Sequence, residues 1–196
     1  MIKNTGIVLK KYFPQNKTIS ILDKDIGKIQ CIPKKKYCLP NGSVVNYRIS
    51  KKKSRYVIEN IEILYVPFNM AINDILFFHH ILEICYYFIP QEAQNTEVFS
   101  LINYLYYFGY RIKYIIDKKL FLFKLFIFLG LYPEGEKFQT PIFHKLAIES
   151  IDTLIDKKLH LGIEKDLDVW LYSCVQTHPM FKYLKTINFL YKNRCS

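Results

Sequence analysis

Two lysine triplets, at residues 34–36 and 51–53, lie close together in the first third of the 196-residue chain. Clustered ammonium groups bind phosphate oxygens, and the tyrosines interleaved with them offer flat faces on which unpaired bases can stack. One stacked base contributes about 1–3 kcal/mol. The pattern therefore favours a polyanionic strand as ligand over a purely solubilising role for the lysines.

Charge is distributed unevenly along the sequence. Residues 1–58 contain 14 Lys and Arg against two acidic residues, a net charge of +12. Residues 59–196 contain 14 Lys and Arg against 15 Asp and Glu, a net charge of −1. Such asymmetry favours a phosphate-rich partner, either a nucleic acid or an anionic membrane surface.

The basic segment reads as a series of short strands. Apolar runs closed by Pro, Gly, Asn or Asp predict strands over 6–13, 17–25, 27–33, 43–50 and 55–66. Five strands joined by tight turns predict an N-terminal five-stranded barrel of the OB-fold type, with a five-stranded sandwich as the alternative. In an OB-fold the loop between strands four and five borders the binding face. That placement makes residues 51–55 one border of a groove.

The candidate nucleic-acid-binding residues share a positive charge or an aromatic ring next to one. They are Lys10, Lys11, Lys34, Lys35, Lys36, Tyr37, Arg48, Lys51, Lys52, Lys53, Arg55 and Tyr56. No pattern among them indicates readout of particular bases, so the predicted binding is largely independent of sequence.

After Pro67 the sequence becomes helical. Cap residues at Asn73–Asp74, Asn95–Thr96 and Thr140–Pro141, together with stops at Pro90 and Gly130, divide it into helices. Further helices are predicted over 113–129 and 164–176, with a closing one from Thr177 and Pro179. The prediction is an α+β protein with a barrel domain at 1–68 and an all-α helical bundle at 69–196.

Several function classes lack their signatures in the sequence. There is no Gly-rich phosphate loop, no GxSxG and no HExxH, so no enzyme is predicted. Five scattered cysteines without CxxC spacing predict reduced thiols, with neither a metal site nor a cofactor. The most apolar runs, 75–89 and 120–132, are shorter than the roughly 20 residues that a bilayer needs and predict buried helices.

Four segments in order resemble the RecO-type DNA recombination and repair mediators. The opening GIVLKKYFPQNKTISILDKDIGKI (6–29) is similar to that family's first strands, and residues 73–108 to its first helical pair. FKLFIFLGLYPE (123–134) is similar to the helix that ends in Leu-Gly-Tyr-x-Pro, and HPMFKYLKTINFLY (178–191) to the closing segment.

The resemblance implies a function and partners. It implies binding of single- and double-stranded DNA, annealing of complementary strands and assistance in loading a recombinase. It also implies a RecR-type partner, the C-terminal tail of the single-strand binding protein as a ligand, and a location in the bacterial cytoplasm at the nucleoid. Lys182 and Lys185 in the closing segment are the candidate contacts for that acidic tail.

The chain also departs from the family. Residues 134–147 contain no cysteine where many members carry a four-cysteine zinc module, so no zinc is expected. PKKKYC (33–38) replaces the family's usual segment after strand three. Two other hypotheses stay open on the sequence: a peripheral membrane protein with a basic head, and a protein–protein adaptor built on an OB-like barrel.

Overall fold

The structure is a computed structural model that describes residues 3–11, 18–132, 135, 138–155 and 157–186, with the backbone only at 11 and 71–73. The chain forms two compact units, Met1–Phe99 and Ser100–Ser196. The first unit combines the strands with the first helices. It therefore continues past residue 68, where the strand-rich sequence ends.

Five strands form a closed barrel in the first unit. They are β1 (Asn4–Lys11), β2 (Ile19–Asp23), β3 (Gly27–Pro33), β4 (Val44–Lys52) and β5 (Arg55–Tyr65). Their order around the barrel is β1-β2-β3-β5-β4, with β4 closing onto β1. Among the described strand pairs of the barrel, only β3–β5 is parallel. The barrel is OB-like, which confirms the predicted α+β class and rules out the five-stranded sandwich.

The barrel interior is apolar because alternate strand residues point inward. Its buried side chains are Val8, Ile19, Ile21, Ile29, Cys31, Leu39, Val45, Tyr47 and Ile58. The Tyr47 hydroxyl donates a hydrogen bond to the buried Asp23 carboxylate. Burial, with the nearby Asp23 charge, raises the pKa of Tyr47. Asp23 also accepts from the backbone N–H groups of Asp25 and Ile26, both at 2.9 Å, and so fixes the β2–β3 turn.

Two helices follow the barrel in the first unit: α1 (Phe68–Asn73) and α2 (Ile75–Phe88). Asp74 caps α2 as predicted, with its side chain accepting from the Phe77 N–H at 3.1 Å. After α2 the chain returns to the edge of β3. There Gly27 has φ +92°, and a Cβ at this position would lie 2.0 Å from the Ala93 carbonyl oxygen. Glycine is required for this close approach.

The remaining elements are helical. They are α3 (Thr96–Phe108), α4 (Ile115–Phe128), α5 (Pro141–Ile148), α6 (Ile151–Leu154) and α7 (Leu161–Gln176), with short 3₁₀ segments at Gly109–Arg111 and Phe181–Tyr183. In the second unit, Trp170 of α7 packs against Phe123 and Phe126 of α4, with ring centroids 4.9 and 6.2 Å apart.

Several predicted helix bounds differ from the observed ones. The segment predicted as one helix from Thr140 to about Leu159 breaks at Glu149 and Ser150, whose extended backbones separate α5 from α6. Helix α4 begins at Ile115, two residues after the predicted start at about 113, and α7 begins at Leu161 rather than at Glu164. The short helix α1 was not predicted. The described part of the predicted closing helix, residues 177–186, contains only the 3₁₀ segment Phe181–Tyr183. Residues from 187 onward lie outside the described chain, as do residues 12 and 13 of the first predicted strand and residue 17 of the second.

Candidate nucleic-acid interface

The two lysine triplets meet around one carboxylate, that of Glu59 on β5. Arg48 on β4 lies opposite Glu59, and Lys34 at the end of β3 forms an ion pair with it. The Lys34 hydrogen bond, together with the Lys34, Arg48 and Lys52 charges, holds the pKa of Glu59 below its ordinary value. Residues 34 and 52, far apart in sequence, therefore act on the same acid.

This convergence follows from the strand register. Because β3 runs parallel to β5 with Pro33 beside Ile58, the chain leaves β3 directly alongside the β4–β5 hairpin. The Lys34 N–H donates to the Ile58 carbonyl at 3.0 Å and extends that contact by one residue. Lys35 and Lys36 follow and are exposed. The parallel pairing thus brings the first triplet to the hairpin that carries the second.

Lys51 has the most contacts among the hairpin lysines. Its Nζ lies 3.2 Å from the Tyr56 hydroxyl, 3.2 Å from Glu92 Oε1 and 4.8 Å from the centroid of the Tyr56 ring. The hydrogen bonds to Tyr56 and Glu92 raise the pKa of Lys51. Glu92 is held at the barrel edge because its N–H donates to the Lys28 carbonyl at 2.8 Å.

The tip of the β4–β5 hairpin exposes three cationic side chains. Lys52, Lys53 and Arg55 are exposed, and Lys53 adopts φ +55° in the turn. We call the combined surface the basic rim. It consists of Lys34, Lys35, Lys36, Arg48, Lys51, Lys52, Lys53 and Arg55.

The tyrosines of the basic rim are partly withdrawn from solvent. Tyr37 and Tyr56 are half-buried and pack against the barrel core. The Lys51 ammonium lies over the Tyr56 ring. The rim therefore exposes positive charge for a phosphate backbone but little ring surface on which bases could stack.

Other predicted site residues are not among those of the basic rim. The Lys10 ammonium is 4.7 and 5.6 Å from the ring centroids of Tyr86 and Tyr87 on α2, beside a cavity of about 110 Å³. The side chain of Lys11 is outside the described structure. Lys182 and Lys185 belong to the second unit and are exposed, and the Lys182 ammonium lies 5.2 Å from the Tyr183 ring centroid.

Sequence reasoning missed the two carboxylates within the basic rim. Glu59 follows directly after the acid-poor segment 1–58, but its place opposite Arg48 depends on the register of β4 and β5, which the sequence does not show. Glu92 gave no local signal, because it reaches Lys51 only through the chain's return after α2. Also missed was Lys28, which is buried, has a pKa lowered by burial, and donates to the Tyr86 carbonyl at 2.6 Å.

Both compact units carry a net positive charge, so the charge excess is not confined to the first third of the chain. The first unit, residues 1–99, contains 14 basic and eight acidic side chains, a net charge of +6. The second contains 14 basic and nine acidic side chains, a net charge of +5. The basic character of the rim is local and comes from the convergence of the two triplets.

The described residues contain neither a metal-ligand cluster nor a membrane-spanning helix. No three His, Cys, Asp or Glu side chains there form a group that could hold a metal ion. Burial raises the pKa of Cys31 and Cys85 to about 12, which makes both thiols poor nucleophiles. None of the described helices combines the length and apolar character needed to cross a bilayer.

Comparison of the chain with protein-family models found no matching family, and comparison with curated proteins found no matching relative.

Proposed function

We propose that the protein is a non-enzymatic nucleic-acid-binding protein whose basic rim holds the phosphates of a single strand. The observation that carries the proposal is that Lys34 of the first triplet, Lys52 of the second, and Arg48 all act on Glu59. Eight cations on one part of an OB-like barrel, with two interspersed carboxylates, match a polyanion better than any small ligand.

The covered tyrosine faces make this binding chiefly electrostatic. With about six phosphate contacts, the logarithm of the affinity falls with the logarithm of salt with a slope of about −4 for single strands. A rim that reads phosphate rather than bases also accepts duplex DNA and discriminates little between sequences.

The finer proposal is a RecO-type mediator, which the resemblance of four ordered segments supports. The barrel is then an OB-fold domain, and the helices after it form a bundle domain without a zinc module. Such a protein anneals complementary strands and helps load a recombinase at the bacterial nucleoid. It works with a RecR-type partner and binds the single-strand binding protein's acidic tail through Lys182 and Lys185.

Charge reversal at the hairpin tests the rim. The variant Lys51→Glu, Lys52→Glu, Lys53→Glu, Arg55→Glu is expected to bind a single-stranded oligonucleotide at least about 100-fold more weakly, with a salt slope shallower by about 3. A control variant with the same charge change, Lys24→Glu, Lys145→Glu, Lys158→Glu, Lys165→Glu, reverses exposed lysines elsewhere. Fluorescence anisotropy at two salt concentrations measures both.

Equal losses in the two variants would mean that net charge, not the rim, determines binding, and would overturn the assignment. If the wild-type protein sediments with anionic vesicles but does not bind the oligonucleotide, a membrane-surface function would replace the nucleic-acid assignment. Thermal melting of each variant by circular dichroism checks that the barrel is intact.

A further inference from the structure

Exposed aromatic side chains cluster where α3 turns into α4, far along the chain from the basic rim. We call this surface the aromatic corner. It consists of the exposed Tyr107, Phe108, Tyr110 and Tyr114 and the half-buried Tyr104, with Arg111 and Lys113 between them. Tyr110 is 66% exposed and Tyr114 67% exposed. Soluble proteins rarely leave so many large rings in water at one place, and such clusters mark interaction sites.

A polar network holds part of the corner in place. Asp152 on α6 accepts hydrogen bonds through Oδ1 from Arg111 Nη1 at 2.8 Å and from the Tyr104 hydroxyl at 3.0 Å. Arg111 Nη2 also donates to the Asp152 carbonyl at 3.3 Å. Phe108 lies against Tyr104 with centroids 5.0 Å apart and planes at 33°. The exposed Phe108 ring is thus supported by an anchored neighbour.

The backbone of the corner is fixed as well. The buried Asp117 carboxylate accepts from the N–H groups of Lys113 and Tyr114 at 3.1 and 2.9 Å. A 3₁₀ turn at Gly109–Arg111 joins the two helices with no long loop. Rings on such a rigid connection lose little conformational entropy when a ligand stacks on them.

The corner presents the exposed ammonium group of Lys113 beside its rings. Two neighbouring cations are already paired, Arg111 with Asp152 and Lys119 with Asp168. Lys113 is therefore the cation that the corner offers to a phosphate. Planar rings beside cations are the arrangement that holds unpaired bases next to their phosphates.

We propose that the aromatic corner is a second nucleic-acid contact, on which unpaired bases stack against Tyr110, Tyr114 and Phe108 while Lys113 contacts phosphate. A lipid surface is the less suitable occupant, because membrane-surface binding relies on an aliphatic helix face, whereas the corner offers mainly tyrosines with polar edges. The proposal concerns the second unit and does not require that the basic rim bind anything.

The test compares two ligands of equal backbone charge: an oligonucleotide of about 12 thymidines, and one of the same length whose sugars carry no base. The variant Tyr110→Ser, Tyr114→Ser is expected to bind the thymidine strand at least about tenfold more weakly, because each lost stack weakens binding by about five-fold or more. Its affinity for the base-free strand is expected to stay within about twofold of wild type.

A matched control removes two rings of similar exposure outside the corner. Tyr132 is 62% and Phe68 67% exposed, so Tyr132→Ser, Phe68→Ser is expected to leave both affinities unchanged. Photocrosslinking of a 5-iodouracil strand to the wild-type chain, followed by peptide mapping, is expected to label residues 107–114.

Several results would overturn the proposal. They are an unchanged affinity for the thymidine strand in the corner variant, an equal loss on both strands, or loss of vesicle binding alone. If the hairpin charge-reversal variant loses binding while the corner variant does not, only the corner assignment is wrong. If the corner variant loses binding and the hairpin variant does not, only the rim assignment is wrong.

Discussion

The basic rim and the aromatic corner use the same two residue types in opposite ways. At the rim, Lys52 and Lys53 extend into solvent while the Tyr56 ring packs on the barrel core under Lys51. At the corner, Tyr110 and Tyr114 extend into solvent while Arg111 is held by Asp152. One surface exposes charge and covers its rings, and the other exposes rings and restrains a charge.

The difference shows that composition does not define a binding mode. Both segments read as lysine or arginine mixed with tyrosine. Burial decides which group meets a ligand, so we expect the rim to respond to salt and the corner to respond to the presence of bases. The following predictions are ways to test that division, from the largest effect to the smallest.

Lowering the pH should reduce the unfolding free energy of the first unit more than that of the second, even without a ligand. Burial lowers the pKa of His80 on α2 to about 4, whereas the described residues of the second unit include no buried histidine. Because unfolded His80 binds its proton near pH 6.5, the unfolded state takes up more protons as pH falls from 6.5 to 4. The first unit should lose about 3 kcal/mol of unfolding free energy between pH 7 and pH 4 through His80.

Urea titrations at the two pH values measure this, with barrel amide resonances reporting the first unit and Trp170 fluorescence the second. The variant His80→Phe should have a shallower pH dependence in the barrel signals, whatever its absolute stability. An unchanged dependence would mean that His80 is not the group responsible.

Tyrosine truncation should have opposite consequences in the two regions. Tyr56→Ala removes a half-buried ring from the barrel and should cost about 2 kcal/mol of unfolding free energy. Tyr110→Ala removes an exposed ring and should change stability by less than about 0.5 kcal/mol. Urea unfolding midpoints of the two variants measure the difference. Equal losses of unfolding free energy would contradict the difference in burial between Tyr56 and Tyr110.

Removing the charge that anchors the aromatic corner should weaken base stacking although the rings proposed to contact bases are unchanged. Asp152→Asn removes the charge that holds Arg111 and should reduce affinity for a thymidine strand by about threefold to tenfold, with no loss on a base-free strand. The control Glu164→Gln removes the same charge elsewhere. Loss of a negative charge by itself would tighten binding, so a gain in both variants would argue against an anchored platform.

Removing the acid inside the basic rim should strengthen binding slightly. Because neighbouring cations hold the pKa of Glu59 below its ordinary value, the carboxylate is ionised at neutral pH and competes with phosphate. Glu59→Gln should tighten single-strand binding by about twofold to fivefold at low salt. Glu62→Gln, three residues further along β5, should have a smaller effect, and equal effects would mean that overall charge explains both.

The elements of the fold were largely readable from local patterns. Alternating apolar residues and tight turns located the five strands, and cap residues such as Asp74 located helix starts. The failures were positional. Glu149 and Ser150 break a predicted helix through extended backbones that their sequence did not signal.

The candidate surfaces were also only partly predictable from the sequence. The lysine triplets were visible as residues, and their charge did not depend on folding. Glu59 and Glu92 as their partners were not visible, since parallel pairing of β3 with β5 and the return of the chain after α2 create those contacts. The corner was missed because a run of tyrosines in a helical segment more often indicates core packing than an exposed surface.

The sequence by itself determined the secondary-structure types, the five strands and the presence of two cationic clusters, because these depend on residue spacing and intrinsic charge. Closure of the strands into a barrel depends on the pairing of β4 with β1, which only the tertiary structure shows. Tertiary structure alone decided which cations share a carboxylate and which aromatic rings face water. Strand register and packing set those distances and exposures, and they join residues that no local pattern connects.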